Sequence, residues 1–213
     1  MNEEEVQSDG RNLLQQYLQR FFEWSPFFAL FFMGLTGGII GSLGGCLFKT
    51  IWFNLQLTYS QGNGFVAAAS NMPIWQRVLI TVVSGTLAAL LVHTFQEYFT
   101  PSKLGPDYGE AIKEGNGRLH LVPSLLKSLL GILIIAGGFT IGREGAMVHF
   151  SALCASAVGQ FLELAPRKQR LLVACGAAGG FSTAYLAPLA GGIFVCKQLL
   201  KNVQDISEIA AVM

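Results

Sequence analysis

The sequence predicts an all-α integral membrane protein whose helices are broken and re-entrant rather than uniformly spanning. Three observations lead there. The 213 residues are 52% hydrophobic and only 13% charged, far from the balance of an ordinary soluble domain. Residues 26–48 and 78–96 are apolar runs of bilayer length, the first uncharged and the second with His93 as its titratable group. Beyond residue 120 the apolar segments shorten and are interrupted by glycine and proline, the pattern of discontinuous membrane helices arranged around a site.

Residues 11–24 place Leu13, Leu14, Tyr17, Leu18, Phe21 and Phe22 on one helical face. Residues 1–24 are therefore expected to form a cytoplasmic segment with an interfacial helix, and residues 25–213 a membrane domain. The start Met1-Asn2-Glu3-Glu4-Glu5 is acidic where a secretory leader would be basic, so the first apolar helix is expected to remain as the insertion signal. Pro26 opens that helix. Within it Gly37, Gly41 and Gly45 recur every fourth residue, which favours close helix packing. A phosphate cradle is disfavoured, because no strand precedes these glycines and no Lys-Ser or Lys-Thr follows in place.

Residues 57–73 carry no Lys, Arg, Asp or Glu, whereas residues 100–120 hold Lys103, Lys113 and Arg118, and residues 165–170 hold Arg167, Lys168 and Arg170. The positive-inside tendency puts the N-terminus and both basic loops in the cytoplasm of a multi-pass plasma (inner) membrane protein. Lys49 and Lys127 are placed to snorkel toward headgroups. Residues 128–142 are uncharged but short, 145–162 form an uncharged helix, 171–185 fall short of a span, and Pro188 interrupts the next segment.

The segment Ile141-Gly142-Arg143-Glu144-Gly145-Ala146 sets an arginine and a glutamate between two apolar stretches. Ionisable groups at membrane depth are costly and persist where they line a polar path or bind something. A helix starting here offers unpaired N–H groups and a positive dipole end to an anion. Glu144, in its first turn, can occupy the anion's place and release it on protonation. Gly142, Gly145, Ala146, Met147 and Val148 are expected to supply main-chain N–H groups or to line the path, with ordinary packing as an equal reading for Met147 and Val148. Arg143 is expected to position the loop. The contrasting reading is a self-neutralising ion pair.

Other chemistries find little support. Cys46, Cys154, Cys175 and Cys196 lack the spacing of a zinc site, so no metal or cofactor is expected. His93, His120 and His149 read as packing residues, with the reservation that His149 follows Glu144 by five residues and can face the same cavity. No basic cluster points to nucleic acid. No nucleophile elbow, HExxH or Walker motif indicates an enzyme, and Asp107 and Asp205 lie outside the hydrophobic helices where an intramembrane protease would need them.

Gly142-Arg143-Glu144-Gly145 resembles the GREGP or GKEGP signature of the CLC family of chloride channels and chloride/proton antiporters. The stretch from Gly176-Ala177-Ala178-Gly179-Gly180 to Ala187-Pro188-Leu189-Ala190-Gly191 is similar to that family's GAAAG…APLAG. The resemblance implies the first of two inverted repeats, movement of a monovalent anion (chloride first) through a channel or proton-coupled antiporter, and Glu144 as the gate and proton-binding carboxylate. As partners it implies the lipid bilayer and either a homodimer or a second-half polypeptide.

The departures matter as much. Gly105-Pro106-Asp107-Tyr108 stands where the family has GSGIP, so Pro106 replaces the serine of the central anion site. Asp107, if ionised, would repel an anion. This segment reads equally as a surface turn or a modified anion site, and the change keeps fluoride export open as an alternative. Lys197-Gln198 align with the acidic pair of antiporters, and Gln198 carries no proton. Ala146 replaces the signature proline. The chain ends at Met213 with a single repeat, for which the expectation is truncation rather than a split transporter or a self-completing half, because residues 142–148 would otherwise show unsatisfied backbone groups to lipid. A non-transporting membrane subunit is the remaining alternative.

Overall fold

The computed structural model describes residues 26–60, 70, 72–98, 106–113, 115–139 and 142–198. The expected interfacial helix, Gly105, and the segment from Asp205 onward lie outside the described residues. Among the described residues seven helices follow in chain order: α1 (Pro26–Ser60), α2 (Ile74–Tyr98), α3 (Tyr108–Lys113), α4 (Leu121–Ala136), α5 (Arg143–Phe161), α6 (Pro166–Tyr185) and α7 (Pro188–Gln198). Among the described residues no strand occurs.

Helix α1 is longer than the expected first span. Its 35 residues extend about 52 Å at 1.5 Å per residue, against a hydrocarbon core of about 30 Å, because residues 49–60 contain no Gly or Pro to stop it. Among the described residues, Leu30–Leu55 and Ile74–Phe95 are long and apolar enough to cross a bilayer. Both show large apolar side chains outward: Phe31, Leu35, Ile39 and Leu43 on α1, and Val78, Leu79, Val82 and Leu90 on α2 are all exposed. An apolar surface of that extent belongs against lipid or further polypeptide.

Helix α6 lies at the centre, packed against α1, α5 and α7. Every residue from Leu171 to Gly180 is buried, although the helix is rich in Gly and Ala rather than large hydrophobics. Small residues put it there. A Cβ on Gly41 would overlap the backbone of Gly176, and one on Gly37 would lie 2.7 Å from the Cys175 Cβ, so α1 and α6 meet almost backbone to backbone. The glycine spacing read from the sequence therefore corresponds to a real helix crossing.

The breaks are where the sequence places them. Pro123 falls in the first turn of α4, where its missing N–H costs nothing, and Gly138 (φ +89°) takes the chain away after Ala136. Leu186 ends α6 in the left-handed region (φ 54°) and Pro188 opens α7. Helix α4, with 16 residues, is too short to cross a bilayer straight.

A buried polar knot fixes the opposite end of α5. The N–H of Leu119 donates to Ser156 Oγ (2.9 Å), which donates to Gly117 O (3.0 Å), and Gln169 Nε2 donates to Gly117 O (3.1 Å) and Ser156 O (3.1 Å). Gly117 sits at φ +70°, with the Arg170 backbone against it. Arg170 Nε donates to Ile112 O (2.8 Å), which satisfies a C-terminal carbonyl of α3. These bonds moor α3 and the 115–120 loop to α5 and α6.

Candidate functional site

Gly142 is the N-cap of α5 and brings no capping side chain, and Glu144 lies in the helix's first turn. The first N–H groups of a helix have no partner within it, and the aligned peptide dipoles concentrate positive potential there. A Cβ on Gly142 would stand 3.1 Å from Glu144 Oε2, so the carboxylate folds back over the helix start. Gly145 faces open space, while Ala146 packs where α4 comes closest, 2.8 Å from the position of a Cβ on Gly131. The side chain at position 146 is thus limited to something small.

Arg143 Nε is 3.9 Å from Glu144 Oε1, with the side chains 58% and 33% exposed. A pair this loose and solvated contributes at most about 1 kcal/mol. The Arg143 guanidinium instead lies over the Trp52 ring of α1, 5.5 Å from its centroid, a cation–π contact that draws it to the side. Trp52 had no motif to mark it.

Met147 and Val148 are packing residues. Met147 is buried with Phe48, Ile132 and Ile135, and Val148 belongs to the main core around α6. Lying beyond the first turn, both spend their N–H groups inside the helix. Of the two readings kept for them, packing fits this burial, and the N–H groups without a partner inside the helix are those of Gly142, Arg143, Glu144 and Gly145.

A second constellation forms around His149. Its Nδ1 stands 2.9 Å from Asp107 Oδ1, at ion-pair distance, although neither ring nitrogen has the alignment of a hydrogen bond. His149 is 5% exposed, whereas the Asp107 side chain is 57% exposed. Tyr108 meets the imidazole edge-on, with centroids 5.9 Å apart. The N–H of Asp107 donates to Glu110 Oε2 (3.4 Å), while Pro106 is half-buried. Asp107 precedes α3 in the basic loop, outside the spans. The His149 ring nitrogen, against the opposing effect of burial, holds its carboxyl below the ordinary value, with Lys127 adding to the effect.

His149 does not share the surroundings of Glu144. Five residues of helix separate them by about 7.5 Å along the axis and about 140° around it. A cleft of about 540 Å³ opens instead between α1, α6 and α7, lined by Gly34, Gly38, Ser42, Gly179, Ser182 and Pro188 among others. None of the expected gate residues lines it. Lys197 is exposed on α7, beside Gln198 at the end of its described residues.

The sequence model of the voltage gated chloride channel family matches residues 85–213, which is more than half of the chain and includes α3 to α7. This chain belongs to the voltage gated chloride channel family. Among its relatives, a voltage-gated ClC-type chloride channel ClcB of Yersinia pseudotuberculosis serotype O:1b (strain IP 31758) is 42% identical over 165 residues, covering 76% of this chain and 40% of the relative. A putative chloride channel protein ClcB-like of Ralstonia nicotianae is 39% identical over 165 residues, covering 75% and 38%. The ClcB of Shigella flexneri is 39% identical over 142 residues, covering 66% and 33%. The chain thus spans between a third and two fifths of the length of these relatives. That share agrees with one repeat of a CLC-type fold, all-α and membrane-embedded as the resemblance implied.

Proposed function

We propose that this chain forms one side of a transmembrane path for a monovalent anion, chloride first, with Glu144 as its gate. The observation that carries the reading is the start of α5, where Gly142 brings no capping side chain and a partly exposed carboxylate sits among main-chain donors that have no partner inside the helix. An ionised Glu144 competes for those donors, and a protonated one leaves them to the anion. Arg143, drawn toward Trp52, positions the turn. Family membership and the ClC-type chloride channels among the relatives support the same reading. The path runs in a plasma (inner) membrane with the N-terminus in the cytoplasm. Its other side comes from a second copy or a second-half polypeptide, which the exposed apolar faces and the open cleft along α1, α6 and α7 would receive.

A second ion is favoured by one observation. Pro106 offers no hydroxyl and Asp107 is a carboxylate, an unwelcoming pair for chloride, and fluoride export is the alternative. Liposomes reconstituted with the purified chain and loaded with chloride or fluoride test both. Efflux that depends on pH and loses that dependence in Glu144→Gln supports the gate, and the faster anion names the substrate. Efflux with unaltered pH dependence in the variant removes Glu144 from the role. No efflux from either load favours a non-transporting subunit or the need for a second half.

A further inference from the structure

We propose that Asp107 and His149 together form a proton-binding site separate from Glu144, with Asp107 as its water-facing acceptor and His149 as its store inside α5. His149 is 5% exposed, its Nε2 has no hydrogen-bond partner among the described residues, and its Nδ1 meets a carboxylate without hydrogen-bond alignment. A histidine kept for packing alone satisfies at least one ring nitrogen, because a bare polar atom in a dry interior is costly. The polar group brought to this ring is a carboxylate oxygen, 2.9 Å from Nδ1, close enough for the two groups to share a proton.

The arrangement has a direction. Asp107 projects from the loop before α3 with a side chain 57% exposed, while His149 lies behind it at 7% side-chain exposure. A proton from water reaches Asp107 Oδ1 first and passes to Nδ1 when the other ring proton is on Nε2. The bound state is a carboxylate and an imidazolium with no net charge. Its loss leaves the carboxylate, a neutral ring and one negative charge.

The surrounding groups set the balance. From α3 and its approach come Tyr108, edge-on to the ring, and Glu110, whose carboxylate accepts the Asp107 N–H. From α4, Lys127 places positive charge near Asp107. Helix α6 meets this part of α5 through Gly180, against Val148 and Ser151, and α1 meets it through Phe48, against Phe150. On α5 itself the nearest ionisable groups are Glu144 and Cys154, five residues to either side of His149. The site is therefore a single pair, with Lys127 opposing and Glu110 favouring the bound proton. It also supplies a titratable group that Gln198, at the position of an antiporter's acidic pair, cannot.

The test is a pH titration of the full chain in lipid nanodiscs with 15N-labelled histidine, read from the imidazole nitrogen shifts. His149→Gln assigns the signal, and the exposed His120 serves as the internal reference. The expected result is a His149 signal that moves from neutral to charged as the pH falls, with proton affinity at least about tenfold lower in Asp107→Asn and restored in Asp107→Glu. Glu144→Gln is expected to leave the titration in place, which separates this site from the gate. A His149 signal fixed in one neutral tautomer while His120 titrates overturns the proposal in the wild type alone, whether or not a variant folds. A titration unchanged by Asp107→Asn overturns it equally.

Discussion

Gly41 and Gly38 lie three residues apart on α1, yet alanine at the two positions should have opposite effects. A Cβ at Gly41 would overlap the carbonyl oxygen of Gly176 and come within 2.6 Å of its Cα and 2.7 Å of its carbonyl carbon, whereas a Cβ at Gly38 meets nothing within 4 Å. All three obstructing atoms are backbone, so relief requires α1 and α6 to separate, not a side chain to turn. Overpacking of this kind costs about 1–3 kcal/mol. Replacing a helical glycine by alanine returns about 0.8–1 kcal/mol at both positions, so that gain cancels in the comparison. The difference between the variants is thus about 1–3 kcal/mol, with Gly38→Ala the more stable. For a chain of 150–250 residues, about 2–4 °C per kcal/mol makes a separation of about 2–12 °C in Tm. Thermal unfolding of both variants in the same detergent, followed by circular dichroism, measures it. Unfolding temperatures that agree within a degree would refute the close α1–α6 crossing.

Three further outcomes are expected. Ser156→Ala leaves the buried Leu119 N–H without its acceptor and should cost about 1–3 kcal/mol in denaturant unfolding, a larger loss than any surface serine shows. Arg143→Gln removes only a loose, solvated ion pair and a ring contact, so stability should fall by no more than about 1 kcal/mol in the same assay. The carboxyl of Asp107 is held below its ordinary value of 3.8, so its contribution to stability is in place above that pH and fades as the pH falls through the lowered value. The gap in unfolding temperature between wild type and Asp107→Asn should close under acid conditions, which a pH series of melts would show.

Much of the architecture was legible because membrane helices announce themselves by composition. The two long spans, the helix starting at the Arg143-Glu144 turn, and the interruption at Pro188 follow from apolar length and from the backbone chemistry of Gly and Pro. The glycines of α1 pointed to a close crossing, but only the fold identifies Gly176 as the surface opposite Gly41. Helix α6 was harder. Its centrality comes from lacking side-chain bulk, and a hydropathy reading undervalues Gly and Ala. The candidate site was legible in part. Glu144 stands in the first turn as its motif indicated, while Met147 and Val148 turned inward because their helix is surrounded on several sides. The approach of Asp107 to His149 joins residues far apart in sequence, and no local pattern encodes such a contact. Trp52 beneath Arg143 was hidden for the same reason.

Chloride binding to the purified chain, measured by calorimetry for wild type and Glu144→Ala, tests the central claim without requiring transport. If the Glu144 carboxylate competes for the main-chain donors at the start of α5, the variant binds chloride more tightly than wild type near neutral pH, and acidification narrows the gap by protonating Glu144. Equal binding in the two proteins at every pH, or none in either, would contradict an anion site at that helix start.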